Sequence, residues 1–243
     1  MRQMLSKRSF RILLLIFVIL MGAGGGLLRS PYFAVRSVQV LGTQRVSPEE
    51  VKELTGVRPG VNIFSLRADE LAKTVSGHPW IKSIDLTRHL PGQVVLTVHE
   101  RRPLFLVPYR TSFLEVAGDG VILAVRPTLS GQALPLVTGF SVAGEVRLGQ
   151  RLSGPAVEQI SRCLKGLPAD FLAQVAEIHL DGAGEFTLYT LSRQQILLGQ
   201  PENLNQKLAL LAGTLAELKA QGQVAVTIDV RSAKEAVVRL KQK

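Results

Sequence analysis

The chain is poor in the residues that most often carry catalysis or staple a fold. It has one cysteine, Cys163, among 243 residues, so no disulfide closes within it and the fold must rest on its core. Cys163 sits in "PAVEQISRCLKGLP" beside Ile160 and Leu164 at helical spacing. That is the setting of a small buried apolar side chain, and no neighbour is placed to activate a thiolate. There are four histidines, none in a CxxC, HExxH or comparable ligand spacing. No Walker loop or dinucleotide fingerprint occurs. "GFSVA" at 139–143 approaches a nucleophile elbow around Ser141 but lacks the second glycine and a following helix. These absences leave no catalytic, cofactor-binding or metal-binding residue to nominate, and we expect neither enzyme activity nor a cofactor.

Acids are also scarce, 19 against 29 bases, for a net charge of +10. Half of that excess falls on Arg2, Lys7, Arg8, Arg11 and Arg29, with no acid in residues 1–30. Basic residues around one apolar segment orient a membrane helix, which is a simpler cause than nucleic-acid binding. Residues 12–28 are uncharged, and 12–20 are all large and apolar. Seventeen helical residues rise about 25 Å, slightly short of a hydrocarbon core of about 30 Å. Phe10 and a snorkelling Arg11 extend the span. The segment reads as an uncleaved anchor over 10–29 with a cytoplasmic tail at 1–9, or as a signal peptide cleaved near "GAGGG". Both place the remainder outside the cytoplasm. Leu27 and Leu28 beyond the glycines favour the anchor.

The soluble part reads as α+β. "VRSVQVLG" is a strand, with Val38 and Val40 on one face. "SPEEVKELTG" is a helix with Ser47 as N-cap, Pro48 in the first turn and Gly56 as its stop. Ser65 is placed to cap a second helix in which Leu71 and Val75 share a face. "GHPWIKSIDLTRHLPGQVVLTVHERRP" follows. Pro79 ends the helix, Ile84 and Leu86 mark one strand, and Val94, Leu96 and Val98 mark a second beyond the "HLPG" turn. His89 falls at the turn and His99 near the far strand end, Trp80 reads as a cap over this domain's core, and Glu100 as a solvated strand end. The order β-α-α-β-β makes a small α+β domain over 33–103.

Residues 104–241 form a second, β-rich domain. "LFLVPYRTSFLEVAGDGVILAV" reads as strands, with Gly118-Asp119-Gly120 as a hairpin signal. A helix begins at Pro155, and three strands lie between residues 175 and 199. Leu204, Leu208, Leu211, Leu215 and Leu218 step by 4, 3, 4 and 3, the stripe of a helix lying on a sheet. "QVAVTIDVR" and "EAVVRLK" close the chain as strands. The expected architecture is helices packed on an antiparallel sheet.

The basic tail, the single apolar segment, "YFAVRSVQVLG", "SPEEV", the 77–103 stretch and "GDGVIL", in this order and spacing, resemble the FtsQ/DivIB family of bacterial division proteins, and 33–103 resembles its POTRA domain. The resemblance implies a retained anchor in the inner membrane, with POTRA and C-terminal β domains outside the cytoplasm at the division septum. It also implies a non-enzymatic scaffold that meets the partners FtsB and FtsL. In the family FtsB adds a strand beside the last strands of the sheet, after an acid-any-Arg segment. Here that segment is Asp229-Val230-Arg231, and the implied partner-binding residues are Asp229, Arg231, Ser232, Ala236, Val237, Val238 and Arg239. Ser232 stands where the family often has an aromatic, and the region before Gln194 lacks the family's usual Trp. The alternative is a secreted POTRA-type chaperone or transport module freed by signal cleavage.

Overall fold

A computed structural model describes residues 14–17, 21, 26, 28–129 and 134–241. Most of the span expected over 10–29, and all of the tail at 1–9, lie outside the described residues. Among the described residues no helix is long and apolar enough to cross a membrane. The chain divides into two compact units, Met1–Gly77 with Ile81–Glu100, and His78–Trp80 with Arg101–Lys243.

The first unit holds strand β1 (Ser37–Leu41), helices α1 (Pro48–Thr55) and α2 (Ala68–Val75), and strands β2 (Ile81–His89) and β3 (Gln93–Glu100). Strand β3 is central, parallel to β1 and antiparallel to β2. Val94, Leu96 and Val98 point from it into the core, the first two fully buried. Helix α1 starts as its sequence requires, with Ser47 Oγ accepting from Glu50 N at 3.1 Å. It stops at Gly56 in the left-handed region. Helix α2 departs from expectation. Ser65 does not cap it, because its hydroxyl donates to Asn62 O at 2.7 Å inside a preceding turn. Arg67 occupies the cap position without a side-chain bond to the helix. Gly42 at φ +82° lies against β3, where an added Cβ would fall 2.3 Å from Val98 O.

Glu100 is not a solvated strand end. Its Oε1 accepts from the backbone N–H of Gln44 at 2.8 Å, Arg45 at 3.1 Å and Val46 at 3.0 Å. It thereby ties the turn before α1 to the end of β3. Burial opposes its ionised form, yet these three amides hold the carboxyl below the ordinary glutamate range.

The second unit contains a nine-stranded sheet. Its strands are β4 (Pro103–Tyr109), β5 (Ser112–Ala117), β6 (Ile122–Arg126), β7 (Leu136–Thr138), β8 (Val175–Leu180), β9 (Phe186–Thr190), β10 (Gln195–Gly199), β11 (Ala225–Asp229) and β12 (Val237–Leu240). Their spatial order is β12-β11-β10-β9-β8-β7-β4-β5-β6. The expected antiparallel sheet is corrected to a mixed one, since β4–β7, β7–β8 and β10–β11 are parallel. For β7–β8 and β10–β11 the cause lies in the connections. Helices α3 (Pro155–Gly166) and α4 (Ala169–Leu172) join β7 to β8, and α5 (Leu204–Ala220) joins β10 to β11. A helical crossover returns the chain to the end of the sheet from which it left, which gives parallel neighbours.

Strand registers align one apolar row across six strands: Val137, Ile178, Leu188, Ile196, Ile228 and Val238. All but Val238 are fully buried in a cluster with Ile160, Leu164, Leu208 and Leu211 of α3 and α5. Each such side chain contributes about 1.5–3 kcal/mol of burial. The adjacent row, Glu177, Tyr189, Gln195, Thr227 and Arg239, lies on the opposite face. Trp80 packs on Ala117, Val121 and Leu123 of this second unit.

Candidate functional site

Strand β12 ends the sheet, and among the described residues no strand lies beside its outer edge. Lys241 N donates to Val224 O at 2.9 Å. Backbone groups alternate along an antiparallel ladder, so Val237 and Arg239 also bond inward to β11, while the N–H and C=O of Val238 and Leu240 face outward. The side chains divide as well. Val238 and Ala236 pack on the core cluster. Val237 is 64% exposed, and Arg239 Nη2 donates to Thr227 Oγ1 at 3.0 Å.

Asp229 and Arg231 form one unit. Arg231 Nε lies 3.0 Å from both carboxylate oxygens of Asp229, and its Nη2 donates to Oδ2 at 2.6 Å. The Arg231 backbone N–H donates to Oδ1 at 3.0 Å. The Arg231 side chain holds the Asp229 carboxyl below the usual range, against a smaller opposing effect of burial. Arg231 is held charged in return. Its stem lies over Gly199, at φ +64°, where a Cβ would fall 2.8 Å from Arg231 Cγ. Ser232 Oγ accepts from Lys234 N at 3.3 Å. The fold thus brings Asp229, Arg231, Ser232 and Val237 together around an open depression of about 440 Å³, with Glu235 on its wall. It places Ala236 and Val238 on the core side instead.

Three features had no sequence signal. Glu235 and Gly199 reach the site only through folding. Lys207, inside the leucine stripe of α5, is 5% exposed and donates from Nζ to Leu198 O at 3.0 Å and Gln200 O at 2.7 Å. It seals the carbonyls at the end of β10 beside Gly199. Finally, Thr138 Oγ1 bonds Glu177 Oε1 at 2.5 Å and His179 Nδ1 at 2.8 Å. A hydroxyl has one proton. It donates to one of these two partners, and the imidazole nitrogen donates or accepts according to its tautomer.

Two of the other histidines have ordinary partners: His99 Nε2 lies 2.8 Å from Asp85 Oδ2 on the surface, and His78 Nδ1 accepts from Trp80 N at 3.2 Å. Among the described residues no group of three His, Cys, Asp or Glu side chains is placed to hold a metal. Ser141 is exposed, and residues 139–143 are irregular with no helix after them. Cys163 is fully buried, and burial pushes its thiol up to about 12.

A compact β-α-α-β-β unit followed by a helix-covered mixed sheet defines a class of two-domain α+β protein. Residues 33–101 match the FtsQ-type POTRA domain, and residues 106–231 match the C-terminal domain of cell division protein FtsQ/DivIB. The chain is 31% identical over 200 residues to cell division protein FtsQ of Anaeromyxobacter sp. (strain K), covering 80% of this chain and 66% of that one. It is 30% identical over 214 residues to FtsQ of Myxococcus fulvus, covering 84% and 74%. DivIB of Clostridium botulinum (strain Hall) is 26% identical over 125 residues, covering 51% and 48%. The chain thus spans about two thirds to three quarters of the length of the two FtsQ relatives. It belongs to the FtsQ/DivIB family of cell division proteins.

Proposed function

We propose that this protein is a non-enzymatic, membrane-anchored scaffold of the bacterial divisome, and that it takes up an extended segment of FtsB on the outer edge of β12, with FtsL in the same assembly. The observation that carries the reading is the open edge itself. Val238 and Leu240 present unpaired backbone groups there, and an extended peptide satisfies them by adding a tenth strand. Such a strand extends both rows of the sheet. An apolar residue set beside Val238 continues the buried row, and a polar one beside Arg239 continues the outer row. The depression around Asp229, Arg231 and exposed Val237 receives whatever follows the strand. The anchor at 10–29 and placement at the septum complete the proposal. The sequence pattern and family membership support them.

The test is co-purification of the full chain with FtsB, for the wild type and for Val238→Pro. Proline removes an outward donor and distorts the edge. A loss of about 1.4 kcal/mol or more weakens capture at least about tenfold. Unchanged capture by a folded Val238→Pro protein overturns the assignment of this edge.

A further inference from the structure

Away from β12, a cavity of about 350 Å³ opens between the Gly118–Gly120 turn, Arg151 and one face of α3. Helix α3 presents Glu158, Ser161, Arg162 and Lys165 to it, a spacing that puts all four on one side. Lys165 Nζ donates to Gly118 O at 2.5 Å, so its charge meets a carbonyl rather than a carboxylate. The side chains of Arg151 and Arg162 have no ion pair or hydrogen bond among the described residues. Asp119 is set against Arg101, with Nε to Oδ2 at 2.9 Å. With that pair discounted, three cations face one acid, Glu158, and the wall carries a net charge of +2.

Two polar atoms in this wall are buried without a partner, Ser161 Oγ and Asp119 Oδ1. Ser161 is only 6% exposed. Buried polar atoms are normally satisfied, so two orphans in one cavity mark a place where a ligand supplies the bonds. The chemistries differ. The hydroxyl donates to an oxyanion that the free guanidinium groups attract. The carboxylate oxygen only accepts, so it needs a donor on the same ligand. We propose that this cavity binds a small ligand carrying an oxyanion, a carboxylate or a phosphate, next to a hydroxyl. Arg151, Arg162 and Ser161 take the oxyanion, and Asp119 takes the hydroxyl. This site is separate from the β12 edge and does not depend on the partner assigned there.

The experiment is isothermal titration of the full chain in detergent with sodium sulfate, glycerol 2-phosphate and glycerate, against sodium chloride at matched ionic strength. We expect saturable binding of glycerol 2-phosphate or glycerate, and the tighter of the two identifies the oxyanion. Sulfate, an oxyanion with no proton to donate, binds at least 5-fold more weakly than glycerol 2-phosphate. Arg162→Ala, an exposed position whose loss leaves the fold intact, weakens binding at least 10-fold. Ser161→Ala weakens it about 5-fold without lowering the melting temperature, because it deletes an unsatisfied buried hydroxyl. Arg239→Ala, at the sheet edge, binds as the wild type. Heats that do not saturate, or that sodium chloride reproduces, overturn the site. So does wild-type affinity in Arg162→Ala. Equal affinity for sulfate and glycerol 2-phosphate overturns the role of Asp119.

Discussion

Replacing Glu100 by Gln tests the clamp that joins the turn before α1 to the end of β3. Three backbone amides, those of Gln44, Arg45 and Val46, converge on its carboxylate within 2.8–3.1 Å. Gln44 and Arg45 lie at the surface, where water replaces a lost acceptor at little cost. Val46 is 4% exposed, so its amide has less access to water. A hydrogen bond to a charged group contributes about 1.5–3 kcal/mol. Glu100→Gln keeps the shape but removes the charge and turns an amide nitrogen towards other donors. The expected cost is about 2 kcal/mol, most of it at Val46. Hydrogen exchange of the Val46 amide, corrected for intrinsic rates, should then be roughly 30-fold less protected at neutral pH. The pH dependence has a definite sign. Glu100 has its pKa lowered on folding, so its contribution is complete above the ordinary glutamate value of about 4.3. It is lost as pH falls through the depressed folded value. Wild type and variant should therefore converge in strong acid. Equal protection of Val46 in the two proteins near pH 7 refutes the clamp.

Further outcomes follow from the same geometry. Cys163, buried with its pKa pushed up to about 12, should resist a thiol reagent at pH 8 and react at once in denaturant; rapid native labelling contradicts its burial. Lys207→Ala should lower stability by about 2–3 kcal/mol, because it strips two carbonyls of a buried charged donor; an unchanged denaturation midpoint would show that water serves those carbonyls equally well. Gly42→Ala should cost at least about 2 kcal/mol, since its backbone is left-handed and an added methyl meets the Val98 carbonyl. The Asp229–Arg231 pair holds Asp229 low, so the loop after β11 should stay ordered above the ordinary aspartate pKa and loosen only as pH falls through the depressed value. An NMR titration of Asp229 giving an ordinary aspartate value refutes this.

The elements of both units were legible because each is built from local signals. Val94, Leu96 and Val98 alternate, Ser47 and Gly56 bracket a helix, and Gly120 turns a hairpin. Where local signals compete, reading them singly fails. Ser65 has the chemistry of an N-cap, but Asn62 offers its carbonyl first. Glu100 resembles any charged strand end until residues 44–46 are brought 54 or more positions along the chain to meet it. Trp80 gives no sign of which apolar group it covers. The candidate site was half legible. Asp229 and Arg231 are two residues apart and find each other locally, whereas Gly199 joins them only through the parallel pairing of β10 with β11 and Glu235 through the turn of the chain from β11 into β12.

The sequence by itself determined the two-unit order, the amphipathic faces, the absence of familiar catalytic motifs and the family resemblance, all of which reside in spacing along the chain. Only the tertiary structure decided strand order and direction. A helix such as α5 carries no local mark of which edge its next strand will join, and that choice makes β10 and β11 parallel and leaves β12 outermost. The outward backbone groups of Val238 and Leu240 depend on that position. Any strand has unpaired groups until a neighbour covers them, and three-dimensional order determines which strand stays uncovered.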